Sequence, residues 1–274
     1  MPPKINLKGG ILIMAKISPL FSSSSGNSTY IETQNGGILV DVGVSFKSLN
    51  EALWAVGGSF EKIKAIAITH EHIDHIKCLK TLLKKYNIPV IASSKTLETL
   101  ERNDSFPSGA VLRPIEENTE ISDIQILRFA TSHDCEGSSG YKILLPDGSS
   151  VAVCTDLGVM TDTVREALLG CETILIESNH DVDMLKKGPY PPELKLRIMS
   201  DTGHLSNSAC AVELGRFLEN GTKRFILGHL SQHNNLPTIA LSASKAALMD
   251  KGAVFGEDYL LYVAKPSKNE VIYI

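Results

Sequence analysis

His70, His133, Asp156, Glu177 and His229 come from five separate parts of this 274-residue chain, and each stands just past the end of a short apolar run that reads as a β-strand. A single Asp or His after a strand is ordinarily a turn or cap residue. Five of them in the same place relative to their strands suggest one rim of a sheet-based sandwich, where side chains from distant parts of the sequence are collected.

The densest of these strand ends is Thr69-His70-Glu71-His72-Ile73-Asp74-His75. It follows the apolar run 64–68, read as a buried strand, and precedes Ile76, Leu79, Leu82 and Leu83, which recur at helical spacing. At an extended strand end, residues two apart point the same way, so His70 and His72 can grip one ion together. Asp74 and His75 come after the chain turns and can face a second ion beside the first. One histidine is usually a satisfied polar residue; three within six positions, out of eight in the chain, are hard to explain as packing. Imidazole with carboxylate is a donor set for zinc, manganese or iron.

The length suits one two-layer α/β core, and 43% hydrophobic residues are ample for it. No apolar run reaches the roughly 18 residues of a membrane span. The run Ile11-Leu12-Ile13-Met14 is too short for a secretory segment, and Met14 is an alternative start. Residues 1–13 are therefore expected to be an N-terminal extension, with the folded domain over 14–274. Five cysteines without a pairing pattern imply reduced thiols and a cytoplasmic setting. A net charge of −4 argues against a general polyanion binder, while leaving room for local basic clusters. Lys77, Lys80, Lys84 and Lys85 form one; Lys186, Lys187, Lys195 and Arg197 form another, interrupted by Glu193. Each alone reads as a solvated face.

Along the chain, the serine-glycine run 21–28 is expected as a loop able to present backbone N–H groups, with Ser25 and Asn27, to an anion. A hairpin is expected around Asn35-Gly36, and a helix over 46–56 ended by Gly57-Gly58. The stretch with Pro189, Pro191 and Pro192 reads as a loop. Helices are expected over 206–220, capped by Ser206 and Gly221, and over 236–251. Gly203-His204-Leu205-Ser206-Asn207 thus puts a histidine just before a helix N-terminus, whose free N–H groups and partial positive charge make a seat for a phosphate. His204 there can contact a phosphate oxygen or protonate a departing alkoxide. His233 with Asn234 and Asn235 can line a substrate groove. His180 reads equally as a structural residue, and Cys135 as a buried thiol.

Taken together, residues 22–30 (SSSSGNSTY), 69–77 (THEHIDHIK), Ser132-His133-Asp134, Thr155-Asp156-Leu157-Gly158, 177–181 (ESNHD), 203–207 (GHLSN) and 227–231 (LGHLS) with Asn234-Asn235 resemble the metallo-β-lactamase fold superfamily, and within it the YycJ/WalJ-type metallohydrolases. The likeness spans residues 17–237. Cys78 departs from it, standing where a small residue is expected.

The resemblance implies a four-layer αββα sandwich with two divalent metal ions at one edge, zinc or manganese, with iron as a further candidate. By position it gives His70, His72 and His133 to one ion, Asp74, His75 and His229 to the other, and Asp156 to both. Two such cations can share a water, lower its pKa towards neutrality and clamp substrate oxygens, with Asp74 aiming the resulting hydroxide. Phosphodiesterases of the superfamily carry a histidine before serine or threonine as His204 stands here, and Glu177 is expected to hold it protonated. The implied function is a 5′→3′ exonuclease on DNA, with repair as a candidate setting. Ser206 and Asn207 join Ser25, Asn27, His233 and Asn234 as candidate substrate contacts. Alternatives are a small-molecule cyclic phosphodiesterase or another ester hydrolase on the same site, and a metal-stabilised regulatory or scaffold protein without activity.

Overall fold

A computed structural model of the protein describes residues 15–274, so the extension expected over residues 1–13 lies outside the described residues. The first half of the chain builds one sheet from β1 (Lys16–Ser23), β2 (Gly26–Thr33), β3 (Gly36–Val40), β4 (Ile63–Ala67), β5 (Val90–Ala92) and β6 (Leu112–Pro114). The second half builds another from β7 (Asn118–Ile121), β8 (Ile124–Ala130), β9 (Ser139–Leu144), β10 (Ser150–Cys154), β11 (Thr173–Glu177), β12 (Arg224–Gly228) and β13 (Leu260–Val263). A last strand, β14 (Ile272–Tyr273), returns to pair with β1. The orders are β14-β1-β2-β3-β4-β5-β6 and β13-β12-β11-β10-β9-β8-β7. Hairpins join β1 to β3 and β7 to β10, while β3 to β6 and β10 to β13 run parallel.

Parallel strands need crossovers, and the helices that make them cover the outer faces. On the first sheet lie α1 (Phe46–Ala55), α2 (Ile73–Ile76), α3 (Leu79–Leu83) and α4 (Ser94–Arg102). On the second lie α5 (Asp162–Leu168), α6 (Val182–Lys187), α7 (Pro192–Ile198), α8 (Asn207–Glu219) and α9 (Pro237–Asp250). Between the sheets Ile17, Ile31, Ile38, Val40 and Ala65 meet Ile126, Tyr141, Ile143, Val151 and Leu175, all buried. Outside, Leu49, Leu82 and Leu100 pack on Leu39, Ile66 and Val90, and Leu214, Phe217 and Leu248 pack on Ile174, Ile176 and Phe225. Each such fully buried side chain contributes roughly 1.5–3 kcal/mol of transfer free energy. The result is the expected αββα sandwich, with the parallel strands of both sheets ending at one rim.

Three local expectations need correction. The run 21–28 is no loop: Phe21 to Ser23 finish β1, and β2 starts at Gly26 after a two-residue turn. Repeated serine suggests a loop, but Ser22, Ser23 and Ser28 are buried on paired strands. The proline-bearing stretch is a loop only over residues 188–191, Pro189 and Pro191 included: Asp181 caps α6 before it, and Pro192 opens α7 at the one helical turn whose N–H is unpaired anyway. The helix after the histidine motif is two short pieces, α2 and α3. Edge strands β6 and β7 carry little apolar pattern and are invisible to periodicity.

Candidate metal centre

The site begins where β3 and β4 end side by side. Asp41, at the left-handed φ of 61°, turns its carboxylate beneath the β4 end. The Thr69 N–H and hydroxyl donate to it at 2.8 and 2.9 Å, and His75 Nδ1 lies 2.8 Å from its Oδ2. The motif helix is tied to the same strand end, with Val42 N–H donating to His75 C=O at 2.8 Å. Gly43 makes that approach possible: a Cβ there would stand 1.6 Å from the Asp74 carbonyl oxygen.

On the second sheet, Asp156 and His229 also adopt left-handed φ, 59° and 53°. Such conformations cost a non-glycine residue about 1–2 kcal/mol, and here they occur at residues that point polar groups into one place. Glu177, fully buried at the end of β11, accepts from four groups. Its Oε1 takes His229 Nδ1 at 2.8 Å and His204 Nδ1 at 2.9 Å, and its Oε2 takes the N–H groups of Leu157 at 2.9 Å and Leu205 at 3.2 Å.

These bonds settle the imidazole tautomers. A carboxylate only accepts, so His75 and His229 carry a proton on Nδ1. His133 Nδ1 faces the Gly203 carbonyl at 3.2 Å, and His70 Nδ1 faces the Thr69 hydroxyl at 3.0 Å, whose own proton goes to Asp41. Four Nε2 lone pairs are left to converge with two carboxylates. His75 Nε2 is 3.3 Å from Asp156 Oδ2 and 3.5 Å from Asp74 Oδ2, and His229 Nε2 is 3.8 Å from Asp74 Oδ2. The Asp156–His75 contact is therefore acceptor against acceptor, consistent with the absence of a hydrogen-bond partner for Asp156 Oδ2; His70 Nε2 and His229 Nε2 are likewise buried without one. Buried lone pairs facing one another need a cation, so the donor set fits divalent metal ions.

The residues that could hold metal form overlapping groups: His70, His133 and Asp156; Asp74, His75 and His229; and His70, His72 and Cys135. His70, His72 and His133 pack mutually, with ring centroids 4.6–5.1 Å apart. Without a cation, the charge balance falls to protons. Burial pulls His229 down, but Asp156, Asp74 and Glu177 outweigh it and hold it at about 10. His75 is raised in the same way, chiefly by Asp156 and Asp41 against its burial. His70 goes the other way, lowered by burial and by neighbouring His75. Burial also lowers His204, yet Glu177 and Asp156 reverse this, leaving it raised.

All seven expected metal ligands, with His204 and Glu177, thus come together at one rim. The expected substrate contacts divide. Ser25, Ser206 and His233 are at least partly open, with Ser25 accepting from Gln232 at 3.0 Å and His233 against Tyr190 at 5.8 Å. Asn27, Asn207 and Asn234 are buried. Asn27 Nδ2 donates to Asp74 Oδ2 at 3.2 Å, and Asn207 exchanges bonds with Asn235 and Ser178 at 2.7–2.9 Å. Cys135 is half-buried, its thiol pushed up to about 12 by burial with Glu71 adding to it. His180 is buried and lowered to about 4 by desolvation. Among the described residues the cysteines form no disulfide, and no helix is long and apolar enough to cross a membrane.

Sequence reasoning missed Asp41 and Asp134. Asp41 bears the mark used for the others, an acid just past an apolar strand. Asp134 Oδ1 lies 3.4 Å from His133 Nε2 and 3.7 Å from His72 Nε2. Asn235, expected with His233 and Asn234 along a substrate groove, is instead buried, its Nδ2 donating at 2.9 Å to the Ser178 and Asn179 carbonyls beneath the rim.

Comparison with known proteins agrees with this geometry. A family profile described as a beta-lactamase superfamily domain matches residues 37–230. The chain is 36% identical to exodeoxyribonuclease WalJ of Streptococcus pneumoniae over 255 residues, 92% of this chain and 94% of WalJ. It is 33% identical to exodeoxyribonuclease YycJ of Bacillus anthracis over 251 residues, covering 91% and 95%. Among solved structures, the metallo-beta-lactamase fold protein YhfI from Bacillus subtilis superposes with a TM-score of 0.69 at 16% identity, covering 94% of this chain and 98% of YhfI.

Proposed function

The chain belongs to the YycJ/WalJ family of the metallo-β-lactamase fold superfamily, and on that premise we propose that it is a metal-dependent exonuclease that hydrolyses DNA from the 5′ end. His70, His72 and His133 would hold one divalent ion, zinc or manganese; Asp74, His75 and His229 would hold a second; Asp156 would serve both. Bound there, such ions lower the pKa of a water and offset the charge that builds on a phosphate.

The chain's own residues supply the remaining chemistry. Asp74 works against burial, but its contacts with His229 and His75 hold it well below the usual carboxylate range, so it stays ionised and can orient the attacking water. Asn27 fixes it by donating to Oδ2 at 3.2 Å. His204 carries a proton because Glu177 accepts from its Nδ1 at 2.9 Å, which leaves Nε2–H to protonate the departing 3′-oxygen as the phosphorus–oxygen bond breaks. The N-terminus of α8, opened by Ser206 just after His204, adds a partial positive charge for a phosphate. The single observation that carries the reading is this Glu177–His204 pair beside the converging lone pairs: it puts a proton donor for a leaving oxygen next to a site built for cations.

The test is hydrolysis of end-labelled single- and double-stranded DNA and RNA by the manganese-loaded protein. Stepwise release of nucleotides from a DNA 5′ end is expected. Hydrolysis of bis-p-nitrophenyl phosphate with no polymer cleaved would move the substrate to a small phosphodiester and overturn the exonuclease assignment.

A further inference from the structure

The basic clusters flanking the site are not uniform once their contacts are known. Lys80 is paired with Asp104 at 2.5 Å, and Lys85 lies over the Phe46 ring at 4.2 Å. Lys195 donates its Nζ to the Lys186 carbonyl at 2.9 Å. Arg197, in the last turn of α7, is different. Its Nε donates to Asp134 Oδ2 at 2.6 Å, while its two terminal nitrogens donate to no described residue, and the side chain is 51% exposed. The other oxygen of Asp134 is the one beside His133 and His72, at 3.4 and 3.7 Å. One carboxylate therefore spans from the candidate metal ligands to the guanidinium.

The backbone around Arg197 is also indexed to the site. His204 N–H donates to the Ile198 carbonyl at 2.9 Å, and the Gly203 carbonyl faces His133 Nδ1 at 3.2 Å. Gly203 lies flush on α7: a Cβ there would be 2.2 Å from the Arg197 carbonyl oxygen and 2.3 Å from that of Ile198. Arg197 is thus a fork with one edge anchored and one edge free, held at fixed distance from the chemistry. A planar guanidinium with a free edge is the side chain best matched to a phosphate diester.

We infer that Arg197 binds a phosphate of the DNA substrate adjacent to the one being cleaved, a role that rests on the exonuclease reading above. The neighbouring phosphate is favoured over the reacting one because the Asp134 carboxylate stands between the guanidinium and the imidazoles and repels an anion there. Arg197 is then a substrate-binding residue whose charge is spent on the polymer and not on the bond that breaks. It also accounts for a net-acidic protein acting on a polyanion: a few placed charges replace a basic surface.

The experiment is steady-state hydrolysis of a 5′-labelled DNA duplex by the manganese-loaded full chain across a sodium chloride series, with wild type, Arg197→Ala, Arg197→Gln, Arg197→Lys and Arg216→Ala. Loss of one phosphate contact makes log(kcat/KM) against log[salt] shallower by about 0.9 on duplex DNA. Arg197→Ala is expected to show that change, with KM raised about tenfold and kcat altered less than about twofold. Arg197→Gln keeps a donor for Asp134 without the charge, and should show the same loss of slope even if the alanine variant folds poorly. Arg197→Lys should keep the wild-type slope, as should Arg216→Ala on the far end of α8. An unchanged slope in the alanine and glutamine variants, or a fall in kcat at constant KM, would overturn the proposal and leave Arg197 as a partner for Asp134 alone. A wild type that degrades no DNA would overturn the exonuclease reading and this proposal with it, so the two failures are distinguishable.

Discussion

Asp41 lies buried beneath the first sheet's share of the site, and Glu177 lies buried beneath the second's. Each sits at the end of a parallel strand, each accepts from a backbone N–H of the neighbouring loop, and each takes the Nδ1 proton of one histidine whose Nε2 faces the centre. The difference is that Glu177 accepts from a second imidazole, His204. Asp41 is raised because burial outweighs its single histidine and the Thr69 bonds. Glu177 is just as buried, yet His204 and His229 together outweigh that and lower it to about 2. Equal burial with one or two cationic partners gives opposite outcomes. On the proposed reading, the first half of the molecule positions metal ligands, while the second half positions ligands and a proton donor with the same carboxylate.

Asp156 is where the two halves meet, since its oxygens lie 3.3 Å from His75 Nε2 on one side and 3.3 Å from His229 Nδ1 on the other. Asp156→Ala should therefore have the largest effect, a loss of activity of at least about 10³-fold with the circular dichroism spectrum unchanged. Full activity in that variant would sink the assignment of a shared ligand. Replacing one histidine from each role sharpens the contrast. His75→Ala should lower metal content measured after dialysis, whereas His204→Ala should keep its metal and lose roughly 10²–10³-fold in kcat. If His204→Ala also empties the site, the second half has no separate proton donor and the comparison collapses.

Next in size is the pair of supporting carboxylates. Every group that faces Glu177 is a donor, so the amide of Glu177→Gln must set its NH₂ against an N–H in any orientation. Asp41→Asn is more forgiving, because the Thr69 hydroxyl can turn to accept. The expected losses in kcat/KM are roughly 100-fold for Glu177→Gln and roughly 10-fold for Asp41→Asn. Equal losses would mean that the second imidazole adds nothing.

How far this arrangement could be read from the chain depends on range. The strand ends that carry His70, His133, Asp156, Glu177 and His229 were legible because an apolar run followed by a ligand-type residue is a local pattern. The local pattern pointed to a sheet-based sandwich, and its four-layer αββα form came from the resemblance to the superfamily. The direction in which a short polar side chain points is not local. Asn27 was expected at the substrate, but the turn that starts β2 directs it inward to Asp74; Asn207 and Asn234 point inward because α8 and α9 both start against the β11 and β12 ends. Asp41 carried the same mark as the others and went unread because a lone acid two residues before a glycine looks like the close of a strand. Proline marked the loop at 189–191 correctly and misled only at Pro192, since its cost in a helix vanishes at the first turn.

The smallest effect expected is at Ser22, which joins the halves by one bond. It lies one residue before the end of β1 on the first sheet, and its hydroxyl accepts from the His229 N–H of the second at 2.8 Å. That bond holds the strained backbone of His229, whose φ is 53°, against a strand it does not otherwise pair with. Ser22→Ala leaves the imidazole and its Glu177 partner intact, but strands a buried N–H, costing about 1–2 kcal/mol by urea denaturation. The released strain should show as weaker metal retention in a chelator titration, by less than about tenfold, with kcat of the loaded protein almost unchanged. A larger drop in kcat than in metal retention would mean that the position of His229 matters to the reaction itself, and the division between a holding half and a reacting half would have to be redrawn at that residue.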